Sequence, residues 1–318
     1  MLERLITFIL GLGLAVVSSG CISLDLAGGS GPLREREIRR DVLSWSKILV
    51  VPIEGEIEGR DRAFSRGTTP SDVRAMLERA AEDRRIRAIV LRVDSPGGEV
   101  TATDLVHHDL RRFRAETGIP VFASIQSMGT SGAYYVSAAA DEIYSHPTAV
   151  VGSIGVIARV PNLSGLADKV GYRQVTFKSG ANKDLADPLK DMTPEQRAML
   201  QRMVDGMHER FVGAVVAGRD AYTSADQLRP VADGRIFTPQ EALDAHLIDG
   251  VAYLDDVIER AKTAAGVSRV RVVTYSRSHR PDRTLYSMLA PKLSLIDFDL
   301  EALFGGRTGF FYLWSPTD

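Results

Sequence analysis

The chain has 318 residues, 44% of them hydrophobic, with 39 Lys and Arg against 41 Asp and Glu and a formal net charge of −2. That balance is ordinary for a globular protein of one large or two modest domains, and it offers nucleic acid no basic stripe with interleaved aromatics. The single cysteine, Cys21, excludes an intrachain disulfide.

The first feature in chain order is an apolar stretch from Leu5 to Val17, preceded by Arg4 and followed by Ser18-Ser19-Gly20-Cys21. Charged start, apolar core and small residues before a cysteine resemble a bacterial lipoprotein signal, cut before Cys21 with lipid added to its thiol. Position 18 departs from that pattern, which usually has leucine there. An uncleaved anchor extended by Ile22, Leu24, Leu26 and Ala27 is the competing reading. Both make residues 1–20 a signal or anchor segment, tether the protein to a membrane and place its bulk on the extracytoplasmic, periplasmic face. Residues 21–46, with Gly28-Gly29-Ser30-Gly31-Pro32 and Arg34-Glu35-Arg36-Glu37, read as a juxtamembrane linker.

From Lys47 to about residue 275 the pattern is α/β. Ile48 to Ile53 and Ala88 to Val93 read as buried strands; Ser71 to Arg85 and Thr103 to Thr117 have helical spacing. Pro120 to Ile125 is a further strand, Ala133 to Ala140 a helix, and short strands follow near Glu142 to Tyr144 and Val150 to Val156. Thr193-Pro194-Glu195-Gln196 starts a long helix that keeps Leu200, Met203, Val204, Met207, Phe211 and Val215 in register. Thr238-Pro239-Gln240-Glu241 repeats the signal; a helix from Leu254 to Ala265 and a strand from Val270 to Tyr275 complete the domain. Strands alternating with helices imply a mainly parallel, buried sheet. Residues 276–318 are basic, then carry apolar patches at 285–289 and 310–314. Without a sustained period they read as an extended tail, packed on the same or a neighbouring subunit, whose apolar end could fill a neighbouring groove as a substrate-like plug.

The stretch Gly129-Thr130-Ser131-Gly132-Ala133-Tyr134-Tyr135 puts a hydroxyl on a tight turn between a strand and a helix, as serine hydrolases do. The plainer alternative is a helix-capping serine. Of six histidines (107, 108, 146, 208, 246 and 279) only His146, at a strand end beside a proline, is a tempting base. Lysine is the other option, because an amine serves as a base at neutral pH where burial disfavours its charge. Lys183 lies in the turn-rich loop Lys178-Ser179-Gly180-Ala181-Asn182-Lys183-Asp184, where the alternative is a solvated cation paired with Asp184. Ser153, in Gly152-Ser153-Ile154-Gly155, could hold the amine or only stabilise its turn. In Asp94-Ser95-Pro96-Gly97-Gly98 the glycines permit close approach of a substrate, and the amides of Gly98 and Gly132 could form an oxyanion hole. No metal-ligand spacing and no P-loop occur, so no metal, ATP or other cofactor is expected.

These motifs, with Ala232-Asp233-Gly234-Arg235, occur in the order of the signal peptide peptidase SppA family, which the chain resembles from about Lys47 to Ala265. It looks like the short, single-repeat form. The resemblance implies a ClpP/crotonase-like α/β fold of repeated ββα units and a Ser–Lys dyad. In that reading Ser131 is the nucleophile, Lys183 the general base, Ser153 the lysine's hydroxyl partner, and Gly98 with Gly132 the oxyanion donors. It also implies a homo-oligomeric ring with nucleophile and lysine from adjacent subunits. Ala133 departs from the second glycine that many members have. The expected function is a membrane-tethered serine endopeptidase of apolar peptides such as released signal peptides. A crotonase-like acyl-CoA enzyme and a non-catalytic membrane scaffold ring are the alternatives.

Overall fold

The computed structural model describes residues 32–59, 67–277 and 309–314. The apolar stretch of residues 5–17, Cys21 and the tail patch at 285–289 lie outside them. In chain order the elements are β1 (Arg34–Arg40), β2 (Ser46–Glu54), α1 (Pro70–Glu82), β3 (Ile86–Ser95), β4 (Gly97–Glu99), α2 (Val100–Thr117) and β5 (Val121–Thr130). Then come α3 (Gly132–Ser137), β6 (Glu142–Ser145), β7 (Val150–Gly152), β8 (Ile157–Arg159), α4 (Ser164–Lys169), α5 (Pro194–Gly218) and α6 (Ala225–Leu228). The last are β9 (Ile236–Phe237), α7 (Pro239–Asp244), β10 (Gly250–Val251), α8 (Leu254–Ala264), β11 (Val270–Ser276) and β12 (Gly309–Leu313).

Local chemistry sets several of these boundaries. Both capping boxes form: the Thr193 hydroxyl accepts from the Gln196 amide while the Gln196 side chain accepts from the Thr193 amide, and Thr238 with Glu241 does the same for α7. Proline at the first helical position fits both starts, having no amide to leave unpaired. Gly118, at φ +66°, ends α2 in a left-handed cap.

The main sheet runs β1-β11-β2-β3-β5-β6-β10, parallel from β11 onward and antiparallel where β1 joins β11; β7 pairs parallel with β5 and antiparallel with β9 off this path. Period-two alternation divides its central strands between two faces. Ile48, Val50, Ala88, Val90 and Phe122 pack with Leu254, Val257 and Ile258 of α8. Leu49, Val51, Ile53, Ile89, Leu91, Val93, Ala123 and Ile125 pack with α1, α2 and α3 on the other side. Both faces are dry, so the strands are apolar almost without interruption.

Two segments differ from the sequence reading. Arg34–Arg40, read as linker, is an edge strand whose charges are spent on partners. Lys47 is 1% exposed, and its amine donates to Glu35 at 2.6 Å and to Asp83 at 2.8 Å, while Arg271 reaches Glu37 at 2.6 Å. The tail end 309–313 is a regular strand within its own chain, between β4 and β8 in a three-stranded sheet. Among the described residues no helix is long and apolar enough to cross a membrane.

Candidate functional site

Three parallel strands end together. β5 divides its pairing: Phe122–Ile125 lie beside Glu142–Ser145 of β6, whereas Met128–Thr130 lie beside Val150–Gly152 of β7. On its other side Gly129 is level with Ser95 of β3. Chain continuation therefore carries Ser131, Ser153 and the Pro96-Gly97-Gly98 turn off the same carboxyl edge of the sheet, where ligands of open α/β sheets bind.

Ser131 has φ 54° and ψ −120°, a conformation costly for a residue with a Cβ, and is 1% exposed. Its amide donates to the Gly152 carbonyl at 2.7 Å, and its carbonyl accepts from Tyr135 at 2.9 Å, the first bond of α3. It occupies the N-cap position, yet its hydroxyl makes no cap bond. The capping alternative therefore fails, and the oxygen is left for other work. Ser153, beside it across the Thr130–Gly152 pair, also has a positive φ of 52° and is held by its own amide on the Arg235 carbonyl at 2.7 Å. Two strained hydroxyl turns thus leave the sheet side by side.

The two glycines named from sequence also lie close together. A Cβ on Gly132 would sit 3.1 Å from the Gly98 nitrogen, and one on Gly97, at φ +100°, would sit 2.6 Å from the Gly132 nitrogen. Neither place has room for a side chain. The Ser95 hydroxyl accepts from the Gly97 amide at 3.1 Å, so its role is to shape this turn. Asp94, raised by burial above the usual carboxylate range, lies within 3.5 Å of the Ser127 hydroxyl.

Lys183 stands elsewhere in the chain. Residues 168–183 are exposed without a break, with Val175 77% and Phe177 93% exposed, and Gln174 to Phe177 form no strand. This arm is tied to itself, through Leu163 to Pro188 at 2.6 Å, Tyr172 to Ala167 at 2.9 Å and Gln174 to Asp187 at 3.4 Å. Asp184 gives its carboxylate to Lys178, at 2.9 Å, and to Lys190, rather than to Lys183. Among the described residues no hydrogen bond joins Lys183 to Ser131 or Ser153 within one chain. His146 sits instead against the Tyr253 ring and the Thr148 hydroxyl, 2.9 Å away.

A packed aromatic cluster adjoins the turns, and its residues were not singled out in the sequence as site residues. Tyr135 and Phe211 meet edge to face at 5.0 Å. The Tyr135 hydroxyl donates to Asp104 at 2.6 Å, and Arg210 grips the same carboxylate at 2.8 Å through two nitrogens. Burial raises Asp104, but the bonds from Arg210 and Tyr135 outweigh it and hold the group below its ordinary value. His107 lies edge-on to Tyr135 at 4.8 Å, and burial, with Arg111 nearby, pushes it down to about 4. The Thr103 hydroxyl is buried without a hydrogen-bond partner, 2.8 Å from the Cβ position of Gly132. The signal for this cluster was the apolar face of the long helix; nothing local says that Phe211 and Tyr135 stand together.

A serine on a strained strand-to-helix turn, with backbone amides gathered beside it at the carboxyl edge of a parallel sheet, is the construction of a serine hydrolase. The family model for peptidase family S49 matches residues 114–268. The chain is 30% identical over 250 residues to an Enterococcus faecium protein provisionally named signal peptide peptidase SppA, covering 78% of this chain and 72% of that one. It is 31% identical over 213 residues to the chloroplastic serine protease SPPA of Arabidopsis thaliana, 66% of this chain and 30% of the relative. Against Protease 4 of Salmonella typhi the identity is 30% over 198 residues, 62% and 31% of the two chains. The chain belongs to peptidase family S49, serine-type peptidases with the ClpP/crotonase-like α/β fold, and that membership sets the acyl-CoA reading aside.

Proposed function

We propose that this protein is a membrane-tethered Ser–Lys endopeptidase that degrades apolar peptides, released signal peptides among them. Ser131 attacks the scissile carbonyl, and the amides of Gly98 and Gly132 receive the oxyanion. Lys183 takes the serine proton and returns it to the leaving amine. Ser153 holds the lysine nitrogen toward Ser131. One observation carries the reading: Ser131 and Ser153 stand on adjoining strained turns against the convergent glycines, while Lys183 rides an arm that projects from the same chain. A serine and a lysine so separated fit a homo-oligomeric ring in which the arm of one subunit enters the site of the next. The exposed Val175 and Phe177 are what a neighbour would cover, and that cover supplies the burial an amine needs to act as a base. The tether is the segment ahead of residue 32, through Cys21 lipid or an uncleaved anchor.

Mixing two dead variants tests the shared site. Ser131→Ala and Lys183→Ala should each abolish peptide cleavage and leave assembly intact. Random co-assembly of equal amounts should restore about a quarter of parental activity, since a working site needs an intact serine beside an intact lysine from its neighbour. Full activity of Lys183→Ala alone would end the dyad assignment; silence of the mixture would end the shared site. Unaltered cellular function of Ser131→Ala would favour the scaffold.

A further inference from the structure

One peptide unit joins the two strained serines. Its carbonyl, that of Gly152, accepts from the Ser131 amide at 2.7 Å; its amide, that of Ser153, donates to the Arg235 carbonyl at 2.7 Å. Gly152 has φ +100° and Ser153 φ 52°, so backbone energy alone does not favour this peptide's orientation and a contact from outside must keep it. Ser131 has a second anchor, its carbonyl on the Tyr135 amide at 2.9 Å, which makes Ser153 the more easily displaced of the two. The outside contact is the turn Asp233-Gly234-Arg235, a motif that the catalytic scheme leaves without a role.

That turn grips the chain on both sides of the Ser153–Ile154 bond. It accepts from the Ser153 amide, and its Gly234 amide donates to the Ile154 carbonyl at 3.0 Å, with Gly234 bent at φ +90°. The fit leaves no slack: a Cβ on Gly155 would stand 3.2 Å from the Gly234 Cα, and one on Gly152 would stand 3.1 Å from the Arg235 carbonyl oxygen. β9 prolongs the contact, Ile236 level with Gly152 and Phe237 with Val151. A single side chain shapes the turn itself. The Asp233 carboxylate accepts from the Arg235 amide at 3.1 Å, and from Nε of the same residue at 2.8 Å with a terminal nitrogen completing the fork. Those bonds hold the carboxyl down to about 2, so it is ionised at neutral pH. With the amide and side chain of Arg235 committed to Asp233, its carbonyl is the group presented to Ser153.

We propose that Asp233 is a positioning residue for the reaction: by shaping the turn at Arg235 it fixes the Gly152–Ser153 peptide and holds the Ser153 hydroxyl at its station beside Ser131. This rests on the reading of Ser153 as the group that holds the lysine nitrogen. Asp233 touches no reacting atom and acts only through Ser153. The competing role is an ordinary surface ion pair, since both partners are about half exposed. Such a pair contributes little to stability and nothing to turnover, whereas a positioning residue changes turnover and leaves stability nearly alone.

The test is kcat and KM for cleavage of one chromogenic apolar peptide by the full-length protein, with urea unfolding of each variant alongside. The variants are Asp233→Ala, Asp233→Asn, Ser153→Ala and the double variant Asp233→Ala, Ser153→Ala. Asp233→Ala deprives the Arg235 amide and guanidinium of their acceptor; kcat should fall about tenfold, the worth of a hydrogen bond to a charged group, with KM within about twofold of the parent's. Its urea midpoint should stay close to the parental one. Asparagine keeps an oxygen for the Arg235 amide at the same reach and should bring kcat back to within about threefold of the parent. In the Ser153→Ala background the loss of Asp233 should lower kcat by less than about twofold, as expected of two residues acting in series. A parental kcat for Asp233→Ala beside an impaired Ser153→Ala would overturn the inference and leave the catalytic reading standing. So would a tenfold loss that persists in the double variant, that asparagine does not relieve, or that tracks a fall in the urea midpoint. A parental rate for Ser153→Ala would instead refute the lysine-holding role, and the clamp with it.

Discussion

Replacing Gly97 by alanine tests the oxyanion site. Alanine at φ +100° is strained, which costs about 1–3 kcal/mol of stability. The new methyl would also stand 2.6 Å from the Gly132 nitrogen and 2.0 Å from the position of the Tyr312 carbonyl oxygen, closer than real Cβ contacts come. Either the amide shifts or the substrate carbonyl is kept out. Loss of one such donor lowers kcat by about 10²–10³, so kcat/KM should fall at least about a hundredfold. Gly118→Ala is the control: its φ is +66°, but nothing lies within 4 Å of its Cβ position, so it carries strain without obstruction. The assay is steady-state cleavage of a chromogenic apolar peptide beside urea unfolding of both variants. If Gly97→Ala kept the parental kcat/KM while losing only as much stability as Gly118→Ala, the placement of the oxyanion site between Gly98 and Gly132 would be wrong.

Other expectations follow from the same geometry. Lys47→Ala removes the buried cation between Glu35 and Asp83, which keep Arg271 and Arg85 as partners, and should cost about 1–3 kcal/mol in urea unfolding; no measurable loss would show that the cluster is solvated. His107 is held down to about 4, so between pH 6.5 and 4 the unfolded chain binds a proton that the folded chain refuses. Stability should therefore drop on acidification through that window, by up to about 3 kcal/mol, and His107→Gln should flatten the profile measured by urea titration. Phe177→Ser, at a side chain 93% exposed, should weaken assembly seen by sedimentation without lowering the unfolding midpoint of the dissociated subunit. An unchanged sedimentation profile would place the subunit contact elsewhere.

The local parts of this protein were legible in its sequence. The turn at Ser131, the Gly97-Gly98 turn and the capping boxes at Thr193 and Thr238 depend on residues within a few positions of each other, and backbone sterics and short-range hydrogen bonds decide them. Short, nearly unbroken apolar runs likewise marked β2, β3 and β5 as buried strands. What needed the tertiary structure was who stands beside whom. The charged run at 34–40 reads as linker until Lys47, Asp255 and Arg271 supply its counter-charges from elsewhere in the chain. Ser153 reaches Ser131 only because β5 changes partners from β6 to β7, and Tyr312 reaches Gly98 from more than two hundred residues away. Such pairings depend on chain closure over long loops and on the fit of whole surfaces, which no local window of sequence contains.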